Sequence, residues 1–216
     1  MKISPDRLAR AISEKLPPLI WISGDETLLC QEAADSVRAK SRELGYSERE
    51  VWHVDSHTDW EALHGSANSL SLFAESKVIE VRFPSAKPGD KAFKALLAYL
   101  QNPNPDTLLL VSSPKLDTNA KRTKTFAQLE ASILLVEIWP VDADSLGAWL
   151  SQRLAEKNLQ ASSEALQILA ERTEGNLLAA QQEIDKLALV TSGDKIDGET
   201  MLDAVANNAR YSAYDL

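Results

Sequence analysis

The stretch Leu19-Ile20-Trp21-Ile22-Ser23-Gly24-Asp25-Glu26-Thr27-Leu28-Leu29-Cys30 joins two periodicities at a single glycine. Its four leading apolar residues form a continuous run, which reads as a strand buried on both faces. Ser23-Gly24 ends that strand. From Asp25, taken as the cap, Leu28, Leu29, Ala33, Val37 and Leu44 recur at helical spacing. Gly45 stands where a helix C-terminus favours a left-handed residue. Strand, glycine turn and long helix together open an α/β domain.

The same alternation extends outward. Ahead of the stretch, Ser4-Pro5 starts a helix with the apolar stripe Leu8, Ile12 and Leu16, and Pro17-Pro18 stops it. Beyond it, residues 77–83, 107–111 and 133–138 are short apolar runs bounded by turn residues, and residues 51–54 form a weaker one. Helical patterns fall between them near residues 59–68, 90–101 and 119–129. About five strands in a parallel sheet covered on both faces are expected. After Trp139-Pro140 the strand signal vanishes. Residues 142–157, 162–172, 176–191 and 198–206 all read as capped amphipathic helices. The expected division is an α/β domain over residues 1–140 and a small all-α lid over residues 141–216.

Composition limits the function classes. Of the 216 residues, 44% are hydrophobic and 25% charged, as in ordinary globular proteins. No apolar run approaches the roughly 18 residues that span a bilayer, and the N-terminal residues do not resemble a signal peptide. Cys30 is the only cysteine, which excludes an intramolecular disulfide and suits a reducing, cytoplasmic setting. The net charge is −9, concentrated late: residues 140–216 carry 6 basic and 13 acidic side chains, against 17 and 19 before them. An acidic surface repels phosphate backbones, so work on DNA would run through protein partners.

A strand, a glycine and a long helix are also the setting of a phosphate-binding loop. That loop needs a second glycine, a Lys for charge and a following Ser or Thr for Mg²⁺. The segment Gly24-Asp25-Glu26-Thr27 has none of these in place and brings two carboxylates to where phosphates would lie. Acidic side chains at a helix N-terminus satisfy its dipole and repel a nucleotide. Hydrolysis also needs an acid at a strand end, but the candidate strands finish Val81-Arg82-Phe83 and Leu110-Val111-Ser112-Ser113. No catalytic residue, bound nucleotide, metal or other cofactor is expected.

An α/β domain, a helical lid and an emptied phosphate loop resemble a degenerate AAA+ module. The wording from Leu19 to Glu32 resembles the opening of clamp-loader delta subunits of bacterial DNA polymerase III. So does Asn68-Ser69-Leu70-Ser71-Leu72-Phe73-Ala74 with the strand after it, and so does Glu174-Gly175-Asn176-Leu177-Leu178-Ala179-Ala180 in the lid. An active AAA+ lid usually sets an Arg on the nucleotide near this last stretch, where Leu177 and Leu178 stand. The resemblance implies a subunit that hydrolyses nothing itself, binds one protomer of the sliding clamp and promotes ring opening. Its implied partners are the clamp, the motor subunits and the delta-prime subunit, with DNA touched at most indirectly. It places the clamp contact on Leu72 and Phe73, supported by Ser71 and Leu70, in a segment similar to a Gln-Leu-x-Leu-Phe clamp-binding motif. Read without the resemblance, Leu72 and Phe73 are core residues leading into the next strand. The family's third, collar domain would begin about where this chain stops.

Other features have plainer readings. His53, Asp55, His57 and Asp59 alternate but run across a strand end without a second ligand set. Lys87, Lys91, Lys94, Lys115, Lys121, Arg122 and Lys124 are solvated charges or DNA contacts. Trp21, Trp52 and Trp149 read as core, and Cys30 as a small buried residue. Three rival functions are a divergent nucleotide-dependent enzyme, a delta-prime-type stator and an inactive adaptor. The first needs a Lys near Gly24, the second a Ser-Arg-Cys segment, and the sequence has neither.

Overall fold

The computed structural model describes residues 1–69, 76–191 and 195–203. The chain divides into two compact units, Met1–Pro140 and a second beginning at Val141.

The first unit is a six-stranded sheet in the order β1-β6-β2-β5-β4-β3, every neighbouring pair parallel. In chain order its elements are β1 (Lys2–Ile3), α1 (Leu8–Ala11), β2 (Leu19–Gly24), α2 (Thr27–Glu43), β3 (Tyr46–His53), α3 (Trp60–Asn68) and β4 (Ser76–Arg82). These are followed by α4 (Asp90–Gln101), β5 (Thr107–Ser113), α5 (Thr118–Lys121), α6 (Lys124–Ser132) and β6 (Leu134–Ile138). Parallel pairing requires a crossover between strands, and the intervening helices supply it on both faces.

Successive side chains of each strand point to opposite faces, so the sheet has two separate cores. On one face Trp21, Ile79, Val81, Leu109, Val111 and Leu135 pack with Leu63, Phe93, Leu96, Phe126 and Leu129 of α3, α4 and α6. Trp21 is fully buried, stacks on Phe83 at 5.5 Å, and donates its indole N–H to Ser113 Oγ at 2.9 Å. On the other face Ile20, Ile22, Leu108, Leu110 and Val136 meet Leu8 and Ile12 and the α2 residues Ala33, Ala34 and Val37.

The second unit contains α7 (Ala143–Glu156), β7 (Gln160–Ala161), α8 (Ser163–Thr173), α9 (Leu177–Val190), β8 (Lys195–Ile196) and helical residues 198–203. Leu150, Leu154, Leu169, Ile184 and Met201 are fully buried in it. Helix α8 ends on Glu174 in the left-handed region (φ 49°), followed by Gly175 (φ 76°), which turns the chain into the Asn176 cap of α9.

The expected α/β class and helical second region are present, with corrections in detail. The sheet gains β1, and the second unit contains the two-residue parallel pair β7–β8 although no strand was expected after Pro140. The helix expected over residues 119–129 is two helices, because Thr123 turns to cap α6 through Phe126 N–H. Helix α2 is capped by Glu26 and not by Asp25. Trp52 and Trp149 are only half-buried, Trp149 beneath the Arg153 guanidinium at 4.9 Å.

Candidate functional site

The loop after β2 is fixed by Gly24. A Cβ there would lie 2.7 Å from both Ile138 Cβ and the Ile138 carbonyl oxygen, so only glycine lets β2 and β6 meet at this level. The two carboxylates that follow are both engaged. Asp25 accepts the Lys115 N–H at 2.9 Å, tying the loop to the segment after β5. Glu26 accepts the Leu28 N–H at 3.2 Å and caps α2. Thr27 is the first residue of that helix. One turn on, burial first, then the charges of Glu26 and Asp25, push the Cys30 thiol up to about 11, which keeps it protonated at neutral pH.

Gly24, Asp25 and Thr27 line an open cleft of ≈ 630 Å³ together with Arg38, Arg49 and Arg82. The three guanidiniums converge on Glu80 of β4, which is 2% exposed. Arg38 Nε and Arg49 Nε donate to its Oε1 at 2.7 and 2.6 Å, and Arg82 Nη2 to Oε2 at 2.8 Å. Burial alone would raise the Glu80 carboxyl, but these bonds outweigh it and hold the group well below the usual carboxylate range. Arg82, at the end of β4, is therefore paired to a buried carboxylate. Sequence reading missed this cluster. Its signal was a charged residue, Glu80, flanked by the apolar Val78, Ile79 and Val81, since a buried charge demands partners.

The other candidate region follows α3. Leu70, Ser71, Leu72 and Phe73 lie outside the described residues, but both flanks of the segment are described. Ser69 is the C-terminal cap of α3. Lys77, at 5% exposure, donates its ammonium to the Ser66 carbonyl at 2.6 Å and to Ser69 Oγ at 3.1 Å. The Ala67 carbonyl accepts Thr107 Oγ1 at 2.9 Å and Asn104 Nδ2 at 3.2 Å. Ser66 Oγ donates to Glu50 Oε2 at 2.6 Å, and Glu50 Oε1 accepts the Trp52 indole at 2.7 Å.

The plainer candidates are occupied structurally. Asp55 accepts the His57 N–H in a turn, and Asp59 caps α3 through Glu61 and Ala62. Among the described residues no group of three or more His, Cys, Asp or Glu is placed to hold a metal ion. Lys94 pairs with Asp90, Lys121 with Glu137, and Lys115 lies 4.0 Å over the exposed Trp139 ring. Among the described residues no helix is long and apolar enough to cross a membrane.

Comparison with known proteins agrees with this architecture. The family described as DNA polymerase III, delta subunit, matches residues 21–137, and a family described only as a middle domain matches residues 142–201. The DNA polymerase III subunit delta of Escherichia coli K12 is 27% identical over 99% of this chain. The chain spans 62% of the length of that relative. The Bacillus subtilis DNA clamp loader delta protein has a similar fold, with a TM-score of 0.66 and 17% identity over 96% of this chain and 67% of its own. A Thermotoga maritima RuvB variant shares the fold more distantly, at a TM-score of 0.51 and 10% identity over 94% of this chain and 65% of its own. The match over residues 21–137 takes in most of the sheet unit, the glycine loop and the segment after α3, and the chain belongs to the DNA polymerase III delta subunit family.

Proposed function

We propose that this chain is the clamp-contacting part of a clamp loader, acting by binding and not by hydrolysis. The observation that carries the reading is the family match over residues 21–137, which includes both the emptied phosphate loop and the Leu72-Phe73 segment. Leu72 and Phe73 are the anchors that enter an apolar pocket on one sliding-clamp protomer, with Leu70 and Ser71 alongside. Full burial of such side chains is worth about 1.5–3 kcal/mol each, enough for two residues to dominate a small interface. If they fit only the open form of the ring, the difference in affinity shifts the ring toward opening.

ATP acts elsewhere on this reading, in motor subunits of the loader. Asp25 and Glu26 are engaged with backbone N–H groups, and Arg82 is committed to Glu80. A nucleotide would have to displace these contacts without a loop lysine to replace them. The role belongs to the cytoplasm, and DNA is met through the assembled loader.

The test is binding of Leu72→Ala with Phe73→Ala to a purified sliding clamp from the same organism. The double variant is expected to bind at least a hundredfold more weakly, the loss of about 3 kcal/mol or more. Unchanged affinity in a variant shown to be folded would remove the site assignment.

A further inference from the structure

We propose that Lys77 is a positioning residue for the clamp contact. Its buried ammonium fixes the end of α3, and with it the point at which the chain sets out toward Leu72 and Phe73. This inference rests on the clamp-binding reading given above.

Burying an ammonium group is costly unless its hydrogens find acceptors. Lys77 finds them at the last turn of α3, on the Ser66 carbonyl and Ser69 Oγ. A helix C-terminus carries unpaired carbonyls and the negative end of the dipole, so a cation there is favourable. A nine-residue helix ending at the surface would ordinarily leave those carbonyls to water. Here the last turn is held from three strands of the sheet and a neighbouring loop. Lys77 of β4 and Thr107 of β5 reach the Ser66 and Ala67 carbonyls, and Asn104, ahead of β5, also reaches that of Ala67. Glu50 of β3 takes the Ser66 hydroxyl.

The convergence has a consequence for binding. Residue 70 follows Ser69 directly, so fixing Ser69 fixes one end of the contact segment. A binding element that starts from a fixed point loses less conformational freedom when it docks. Lys77 is also the second residue of β4, so the same side chain that holds the entry to the segment sits just after its exit. It reaches the clamp through no atom of its own, because it is 5% exposed.

The experiment measures clamp affinity and dissociation rate for the wild-type chain, Lys77→Met, Lys77→Arg and Val37→Ala, with thermal melting of each. Val37 is fully buried on the opposite face of the sheet and serves as a purely structural control. Lys77→Met is expected to bind roughly tenfold more weakly, the scale of a lost preorganising contact. Lys77→Arg, which keeps a cationic donor, is expected to recover most of that loss. Val37→Ala is expected to melt lower while its folded fraction binds as the wild type does. Faster amide exchange at Ser66–Ser69 in Lys77→Met would accompany the loss. If Lys77→Met does not fold, Thr107→Val removes a milder restraint on the same turn and is expected to weaken binding in the same direction. Wild-type affinity in folded Lys77→Met, or in Thr107→Val where that stands in, overturns the proposal, as does failure of Lys77→Arg to recover binding. Loss of affinity in Val37→Ala matching that in Lys77→Met overturns it too. Should Leu72→Ala with Phe73→Ala bind like the wild type, the clamp-site reading itself fails, a result the Lys77 variants alone cannot produce.

Discussion

Helix α2 begins, and helix α3 ends, with unpaired backbone groups and a dipole behind them, and the chain answers the two with opposite charges. At the start of α2 the free Leu28 N–H meets the Glu26 carboxylate, while Asp25 ties the loop to Lys115. At the end of α3 the free carbonyls meet the Lys77 ammonium, the Thr107 hydroxyl and the Asn104 amide. Both solutions are electrostatically sound. Their consequences differ. The first sets two carboxylates in a strand–glycine–helix turn, the general setting of a phosphate-binding loop. The second leaves a firmly held point from which a short apolar segment departs. Under the proposed function the two helix ends divide a lost chemical site from a retained recognition site, each set by a few polar side chains.

Substitutions on the two sides test that contrast. The largest effect is expected beside the emptied loop, at Glu80. Glu80→Gln leaves three guanidiniums around a neutral amide and is expected to destabilise the fold by about 3 kcal/mol in urea unfolding. The figure sits at the low end for a broken buried pair because Arg49 and Arg82 are partly exposed. The same group sets an acid response. Its folded-state value is depressed, so its contribution is complete above the ordinary carboxylate value of about 4.3 and is lost as pH falls from there toward the folded value. Glu80→Gln should therefore flatten the acid limb of stability against pH. An unaltered limb would show that the arginine cluster contributes nothing to folding.

Gly24→Ala comes next, at about 2 kcal/mol, since a methyl group must enter where Ile138 already stands 2.7 Å away. A neutral result in thermal melting would mean that β2 and β6 separate easily, and that the loop is open to remodelling. On the α3 side, Thr107→Val removes a buried hydroxyl bond and should cost about 1 kcal/mol. The smallest effect is expected from Glu26→Gln, about 0.5 kcal/mol, because the amide oxygen still caps α2 while its charge is lost. Mg²⁺ and ATP should leave the melting temperature of both wild type and Glu26→Gln unchanged. Nucleotide stabilisation of the wild type would break the contrast at its first half.

Much of this was legible in the residues. Trp21 lies in a run without alternation, and such a run predicts a strand buried on both faces. The Gly24 turn and the Asn176 cap each depend on local chemistry, so each appears in the sequence, whereas the helix expected to run to Pro17-Pro18 already ends at Ala11. What was not legible depends on distance along the chain. Arg38, Arg49 and Arg82 meet on Glu80 only after β3 and β4, joined through α3, pair side by side and α2 brings Arg38 to the same face. Lys77 and Thr107 reach the same helix turn because their strands pair in register. Strands of two residues, such as β1 and β7, are too short to show a period at all. The proposed contact segment is the reverse case. Leu72 and Phe73 were singled out by resemblance, since an apolar pair beside a strand reads as core on any local rule.

On the proposed function this chain recognises a sliding clamp without nucleotide. The most direct test is a calorimetric titration of the wild-type chain into the purified clamp, first without nucleotide and then with Mg²⁺ and ATP. Saturable binding is expected in the first titration and the same affinity in the second. No heat of binding from a folded chain, or binding that appears only with ATP, would contradict it.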